Sequence, residues 1–181
     1  EVGNASGTVS ITKTEFVSVL SNNGASLPFI DDFEDKLSLS PYYSSTNADD
    51  DKTWGIFNEI GFGSERCVFI NNFSTPAKNR RDELVTVGFN IDELSLPVLT
   101  FNYAFAAKNT ASTDALLISY SDDCGTSYKT LKTLSVASLK TVADMPNSDF
   151  IPSNDTEWKM ESIDLNAIKK PGVRFKFTWI S

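Results

Sequence analysis

The stretch that decides the fold is Leu99-Thr-Phe-Asn-Tyr-Ala-Phe-Ala-Ala-Lys-Asn-Thr-Ala-Ser-Thr-Asp-Ala-Leu-Leu-Ile-Ser-Tyr-Ser-Asp-Asp-Cys-Gly125. Leu99, Phe101, Tyr103 and Phe105 take every second position, with Thr100, Asn102 and Ala104 between them, which is the period of a strand buried on one face. Leu116, Ile118 and Tyr120 repeat it. The polar linker Lys108 to Asp114 predicts that the two strands are antiparallel neighbours across a loop, at the centre of a β-rich core.

The same period recurs on both sides. Val173, Phe175, Phe177 and Trp179 alternate with Arg174, Lys176 and Thr178, the cleanest pattern in the chain. Asp82-Glu-Leu-Val-Thr-Val-Gly-Phe89 predicts a strand with Val85, Val87 and Phe89 on one face, and Glu157 to Leu165 one with Trp158, Met160 and Ser162 together. Arg66 to Phe73 and Tyr128 to Leu134 are further strand candidates, and Ala137 to Asp144 a helical turn or loop. Leu27-Pro-Phe-Ile-Asp-Asp-Phe-Glu34 leads in with an acidic edge, residues 35–53 form a long surface loop, and Trp54, Ile56 and Phe57 return to the core. Roughly eight to ten short strands imply an all-β fold, a two-sheet antiparallel β-sandwich of jelly-roll type.

Composition narrows the function. The 181 residues are 40% apolar, with 13 Phe, 5 Tyr and 3 Trp, enough for a sizeable core. A net charge of -8 repels polyphosphate, which argues against nucleic-acid partners. No apolar run approaches the roughly 18 residues of a membrane helix, and no signal peptide precedes Glu1, which reads as the start of an excised piece. With no histidine, the usual general base, the Ser-His-Asp and Cys-His arrangements and most catalytic zinc sites are missing, so the domain is not expected to be an enzyme.

Three kinds of site remain. Asp32 and Glu34 beside Asp82 suit a hard cation such as calcium, which takes six to eight oxygen ligands; the competing reading is a solvated strand edge. Asn47, Asp49 and Asp51 have calcium-loop spacing, but Lys52 stands where the loop needs Gly and Asn58 where it needs Glu, so an acidic surface loop is the better account. Tyr42 and Tyr43 lie in a polar segment and suit stacking on sugar rings, whereas Trp54 and Trp158 open apolar runs and belong in the core. Cys67 and Cys124 are few enough to be buried thiols, yet both sit near strand ends, which leaves a disulfide open.

Taken in order, Leu27-Pro-Phe-Ile-Asp-Asp-Phe-Glu34, Trp54, Asn71-Asn-Phe73, Asp82-Glu-Leu-Val85, Leu99-Thr-Phe-Asn-Tyr-Ala104, Asp114-Ala-Leu-Leu-Ile-Ser-Tyr-Ser-Asp-Asp-Cys-Gly125 and Trp158 with Ile163-Asp-Leu165 resemble a MAM-like, cleaved-adhesin-like jelly roll over residues 27–181. Residues 1–22, with Asn4-Ala-Ser-Gly-Thr8 and Thr14-Glu-Phe-Val-Ser-Val19, resemble the terminal strand of a polycystic-kidney-disease (PKD) type domain, or form a linker. The resemblance implies a non-catalytic accessory or interaction module of a secreted or cell-surface bacterial multidomain protein, such as a pappalysin-like zinc metallopeptidase. Its partners would be neighbouring domains and a glycan or protein substrate, with a carbohydrate-binding module as the alternative.

It also implies a structural calcium helped by the Asp-Phe-Glu34 carboxylate, and in a secreted sandwich a Cys67–Cys124 disulfide becomes the expectation. Related domains continue past Phe175-Lys-Phe-Thr-Trp179 into a final strand bearing an Asp, whereas this sequence ends at Ser181. The expectation is therefore a jelly roll lacking its last strand. Residues 7–20, a second copy or a longer chain would fill the vacancy.

Overall fold

The structure, a computed structural model, describes residues 2–4, 7–9, 20, 24–35, 37–39, 41–47, 52–74 and 80–181. Among them run β1 (Val2–Asn4), β2 (Gly7–Val9), β3 (Tyr43–Asn47), β4 (Gly55–Phe57), β5 (Cys67–Phe69), β6 (Arg81–Thr86), β7 (Val98–Tyr103), β8 (Ala115–Ser121), β9 (Lys129–Ser135), a short helix α1 (Val136–Leu139), β10 (Lys159–Asp164) and β11 (Arg174–Ile180). One antiparallel sheet has the order β3-β6-β11-β8-β9; β7 pairs with β10, β4 with β5, and β1 with β2. Positions 10–19, on which much of the expected N-terminal strand falls, lie outside the described residues.

The cleanest alternation in the sequence becomes the central strand, because a strand apolar along one face and flanked on both edges loses most water. β11 lies between β6 and β8, with Phe175 opposite Tyr120, Phe177 opposite Ile118, and Trp179 opposite both Leu116 and Asp82. Val173, Phe175 and Trp179 are buried as expected. Both of its edges are paired.

The expected β7–β8 pair is not formed. β7 pairs antiparallel with β10, Tyr103 opposite Lys159 through Val98 opposite Asp164, while β8 pairs with β11 and β9. Alternation specifies a buried face and says nothing about the partner, and the 104–114 connection is long enough to cross the roughly 10 Å between packed sheets. The apolar face of β7 and the residues just after it thus meet β11 of the five-stranded sheet from the opposite layer. Phe101 packs edge-on against Phe177 at 5.2 Å between ring centroids, and Phe105 against Trp179 at 5.3 Å.

Two strand faces also differ from expectation. On β6 the inward residues are Asp82, Leu84 and Thr86, with Val85 on the other face. Val85 pairs with Lys176 and Phe89 with Val173, so β6 carries one residue more than β11 between these pairs. This β-bulge flips the alternation and lets Val87 and Phe89 reach the core as well. On β10 the inward residue is Ile163, and Met160 is left 69% exposed with Ser162.

The end of β7 is tied to the helix that follows β9. Leu139 of α1 plugs the core, and Thr141 just beyond it gives its N–H to Phe105 C=O (2.9 Å) and accepts Phe105 N–H on Oγ1 (3.0 Å).

Candidate functional site

The acidic lead-in folds as two consecutive side-chain turns, because Asp carboxylates readily accept the N–H two residues ahead. Asp31 Oδ1 accepts Phe33 N–H at 3.0 Å and Asp32 Oδ1 accepts Glu34 N–H at 3.1 Å, which holds Phe33 at a φ of 64°. Glu34 then reaches a separate turn. Its Oε1 accepts the N–H groups of Glu65 (2.6 Å) and Arg66 (3.0 Å), while Arg66 Nη1 donates to Glu34 C=O (2.6 Å).

Asp82 is elsewhere, buried on the core face of β6 opposite Trp179, with its C=O accepting Trp54 Nε1–H at 3.0 Å. Among the described residues no three His, Cys, Asp or Glu side chains come together as a metal-holding group, so Asp32, Glu34 and Asp82 form none. Glu34 Oε1 is committed to backbone amides and Asp32 is exposed, a poor fit to a cage of six to eight oxygens. Asp49 and Asp51 lie outside the described residues.

The two tyrosines sit in different surroundings: Tyr42 is in the turn just before β3 and Tyr43 is its first residue. Tyr43, on β3, is 9% exposed and packs on Phe33 at 5.7 Å; its hydroxyl is pushed far above the usual tyrosine range by burial and by the charge and hydrogen bond of Asp31. Tyr42 is exposed, edge-on to Phe29 at 5.2 Å. Trp54 and Trp158 are half-buried, Trp158 edge-on to Phe62 at 6.4 Å.

The expected disulfide is also absent: both cysteines are free thiols. Cys67 sits on β5 opposite Phe57, where burial pushes its thiol up to about 11. Cys124 lies on the exposed turn between β8 and β9, in a different sheet. That turn is what Ser121-Asp-Asp-Cys-Gly125 builds. Ser121 Oγ donates to Asp123 Oδ1 (2.7 Å) and accepts Gly125 N–H (2.8 Å), while Asp123 Oδ1 also accepts Ser127 N–H (2.9 Å). Cys124 and Gly125 both take positive φ, 60° and 88°, so the motif shapes a hairpin end.

Sequence reasoning missed the feature best suited to binding, a cleft of about 910 Å³ between the layers. Residues 66–73, through β5, line it on one side and 97–106, through β7, on another, over a floor that includes Phe175, Phe177 and Trp179. Phe62, Ile151, Val98 and Met160 border it with 46% to 69% of their surface exposed. An open apolar patch of this kind marks an interaction surface. The legible signal was Met160, an apolar residue among Lys159, Glu161 and Ser162.

The edge of β7 adds a second property. Leu165 N–H donates to Pro97 C=O at 3.0 Å, so Leu99, Phe101 and Tyr103 turn their backbone groups toward β10, and Val98, Thr100 and Asn102 turn theirs the other way. Among the described residues no strand pairs with that outer edge.

No protein-family model matches the chain, and no curated protein sequence matches it either. Solved structures do. The K1 cleaved adhesin domain of Lys-gingipain from Porphyromonas gingivalis W83 is similar with a TM-score of 0.54 and 17% identity, over 83% of this chain and 92% of that one. The K3 cleaved adhesin domain of Lys-gingipain from the same organism gives 0.53 and 16%, over 83% and 87%, and the K2 domain 0.50 and 13%, over 77% and 87%. Identity this low speaks for the fold alone. What the chain shares with these adhesin domains is a two-sheet antiparallel β-sandwich.

Proposed function

We propose that the chain is a non-catalytic accessory and interaction module of a secreted or cell-surface multidomain protein, and that it engages its partner through the cleft between β5 and β7. The observation that carries this reading is the open apolar cleft, bordered by Phe62, Ile151, Val98 and Met160. Likeness to cleaved adhesin domains supports it at the level of fold. A zinc-metallopeptidase parent rests on the sequence resemblance; its zinc-binding histidines would have to lie in another domain. The carbohydrate-binding alternative loses Tyr43, which is buried, and keeps Tyr42.

Peptide and glycan arrays probed with the chain test the reading. Peptide binding abolished by Val98→Lys, an exposed border position, supports it; a glycan signal indifferent to Val98→Lys, or turnover of any substrate, overturns it. The reading does not depend on calcium, which is tested separately. A melting temperature raised by calcium over chelator, and not in Glu34→Gln, assigns an ion to the lead-in loop; equal values remove it.

A further inference from the structure

We propose that the cleft is a strand-acceptor site: it takes up one extended segment of a partner polypeptide, with apolar residues at alternate positions and basic residues at its ends, which adds to the outer edge of β7. This rests on the cleft being the binding site and goes on to specify its occupant.

Backbone geometry selects the class. Val98, Thr100 and Asn102 present N–H and C=O groups in register along an edge that no described strand covers. Only another extended backbone matches that alternating row of donors and acceptors. The two layers are also unequal. Five strands face the hydrogen-bonded pair β7–β10 and the separate pair β4–β5, and residues from both pairs line the cleft. The six residues of β7 rise about 20 Å, and a cleft of about 910 Å³ running along it suits a segment of similar length.

Side chains select the sequence. An added strand directs every second residue inward, and inward lie Phe69, Phe101, Phe105 and Phe177, which favours apolar residues at those positions. The charged groups lining the cleft are Asp31, Asp32, Asp114 and Asp149 against Arg66 and Lys108, so carboxylates outnumber cations. Groups of both signs have neutral partners: Arg66 Nη1 donates to Glu34 C=O and Lys108 Nζ to Phe73 C=O, while Asp31, Asp32 and Asp149 accept from Phe33 N–H, Glu34 N–H and Asn71 Nδ2–H, so the excess of negative charge remains. A basic-ended strand complements that border. A second copy of this chain, itself at -8, is disfavoured.

The test uses the chain and a synthetic peptide, acetyl-Lys-Val-Thr-Val-Thr-Val-Lys-amide, titrated by calorimetry and followed by amide hydrogen exchange. Saturable binding, slowed exchange at Val98, Thr100 and Asn102, and at least tenfold weaker binding of both a scrambled peptide and one with Glu at its ends are expected. N-methylating alternate peptide amides probes the edge without altering the protein. One methylation frame should abolish binding and the other leave it within about threefold. Equal loss in both frames, equal binding of the scrambled peptide, or no exchange protection on β7 overturns the proposal. Concentration-dependent dimerisation that protects the same β7 amides overturns it in favour of a second copy. Array hits that depend on Val98 while this peptide fails to bind would sink strand acceptance and leave the interaction-module reading standing.

Discussion

Thr86 and Phe175 are joined across the bulge of the central sheet: Thr86 Oγ1 accepts the Phe175 N–H at 3.0 Å and donates its own proton to Val87 C=O at 2.8 Å. A ladder interrupted by an extra residue leaves a backbone donor of β11 without a strand carbonyl, and the hydroxyl supplies the acceptor. Both residues are buried, so no water replaces it. Thr86→Val is expected to cost about 1–3 kcal/mol in urea denaturation, and Thr86→Ser to retain most of the stability.

The Glu34 carboxylate holds the turn at 61–66 by two charge-assisted bonds to backbone N–H groups. Glu34→Ala should lose about 1.5–3 kcal/mol and Glu34→Gln less, since an amide oxygen still accepts. Hydrogen exchange of the Glu65 and Arg66 amides should accelerate in the same order. Unchanged exchange in Glu34→Ala would disprove the clamp.

Gly61 belongs to the same turn, its N–H bonded to Ser64 C=O at 2.9 Å. A Cβ there would lie 2.0 Å from Arg66 O, a backbone atom held by the turn, and 2.1 Å from Ser64 Oγ. Gly61→Ala should therefore destabilise by about 1–3 kcal/mol, measured by chemical denaturation. A variant as stable as the parent would mean the turn relaxes freely.

The acid limb of stability should depend on Asp123. Hydrogen bonds from the Ser121 and Ser127 side chains and the Ser127 N–H hold its carboxyl well below the usual range. For a depressed folded-state value, the stabilisation is fully present above the unfolded pKa of about 3.9 and is lost as pH falls through the folded value. Asp123→Asn should flatten stability against pH below about 4 and leave the slope at neutral pH unchanged.

Thiol labelling separates the cysteines. Without reductant, two thiols should react in the unfolded protein, and in the native protein exposed Cys124 before Cys67, whose thiol burial pushes up to about 11. Fewer than two reactive thiols on unfolding would restore the disulfide.

What could be read in the sequence was periodicity and its ends. Alternation at Val173 to Trp179 and at Leu99 to Tyr103 specified strands and, for both, the inward face, because side-chain direction in a strand is set locally. The polar residues of Ser121-Asp-Asp-Cys-Gly125 marked a strand end for the same reason: their bonds close within a few residues. The lack of histidine removed the histidine-based catalytic arrangements from this sequence, and the net charge of -8 argued against nucleic-acid partners.

Tertiary structure decided which strands are neighbours, and with that the site. Nothing local states that β7 joins β10 rather than β8, since either partner buries the same face of Leu99 and Phe101. The bulge at Thr86 reversed the expected face of Val85 because an extra residue changes the phase of an alternation whose residue types look uninterrupted. Asp32, Glu34 and Asp82 looked like one acidic set in sequence, and the sheet sends Asp82 to the interior while Glu34 clamps a distant turn. The cleft is a property of layers and edges. It runs along an edge of β7 that no described strand covers, a fact about pairing that residue types alone do not encode.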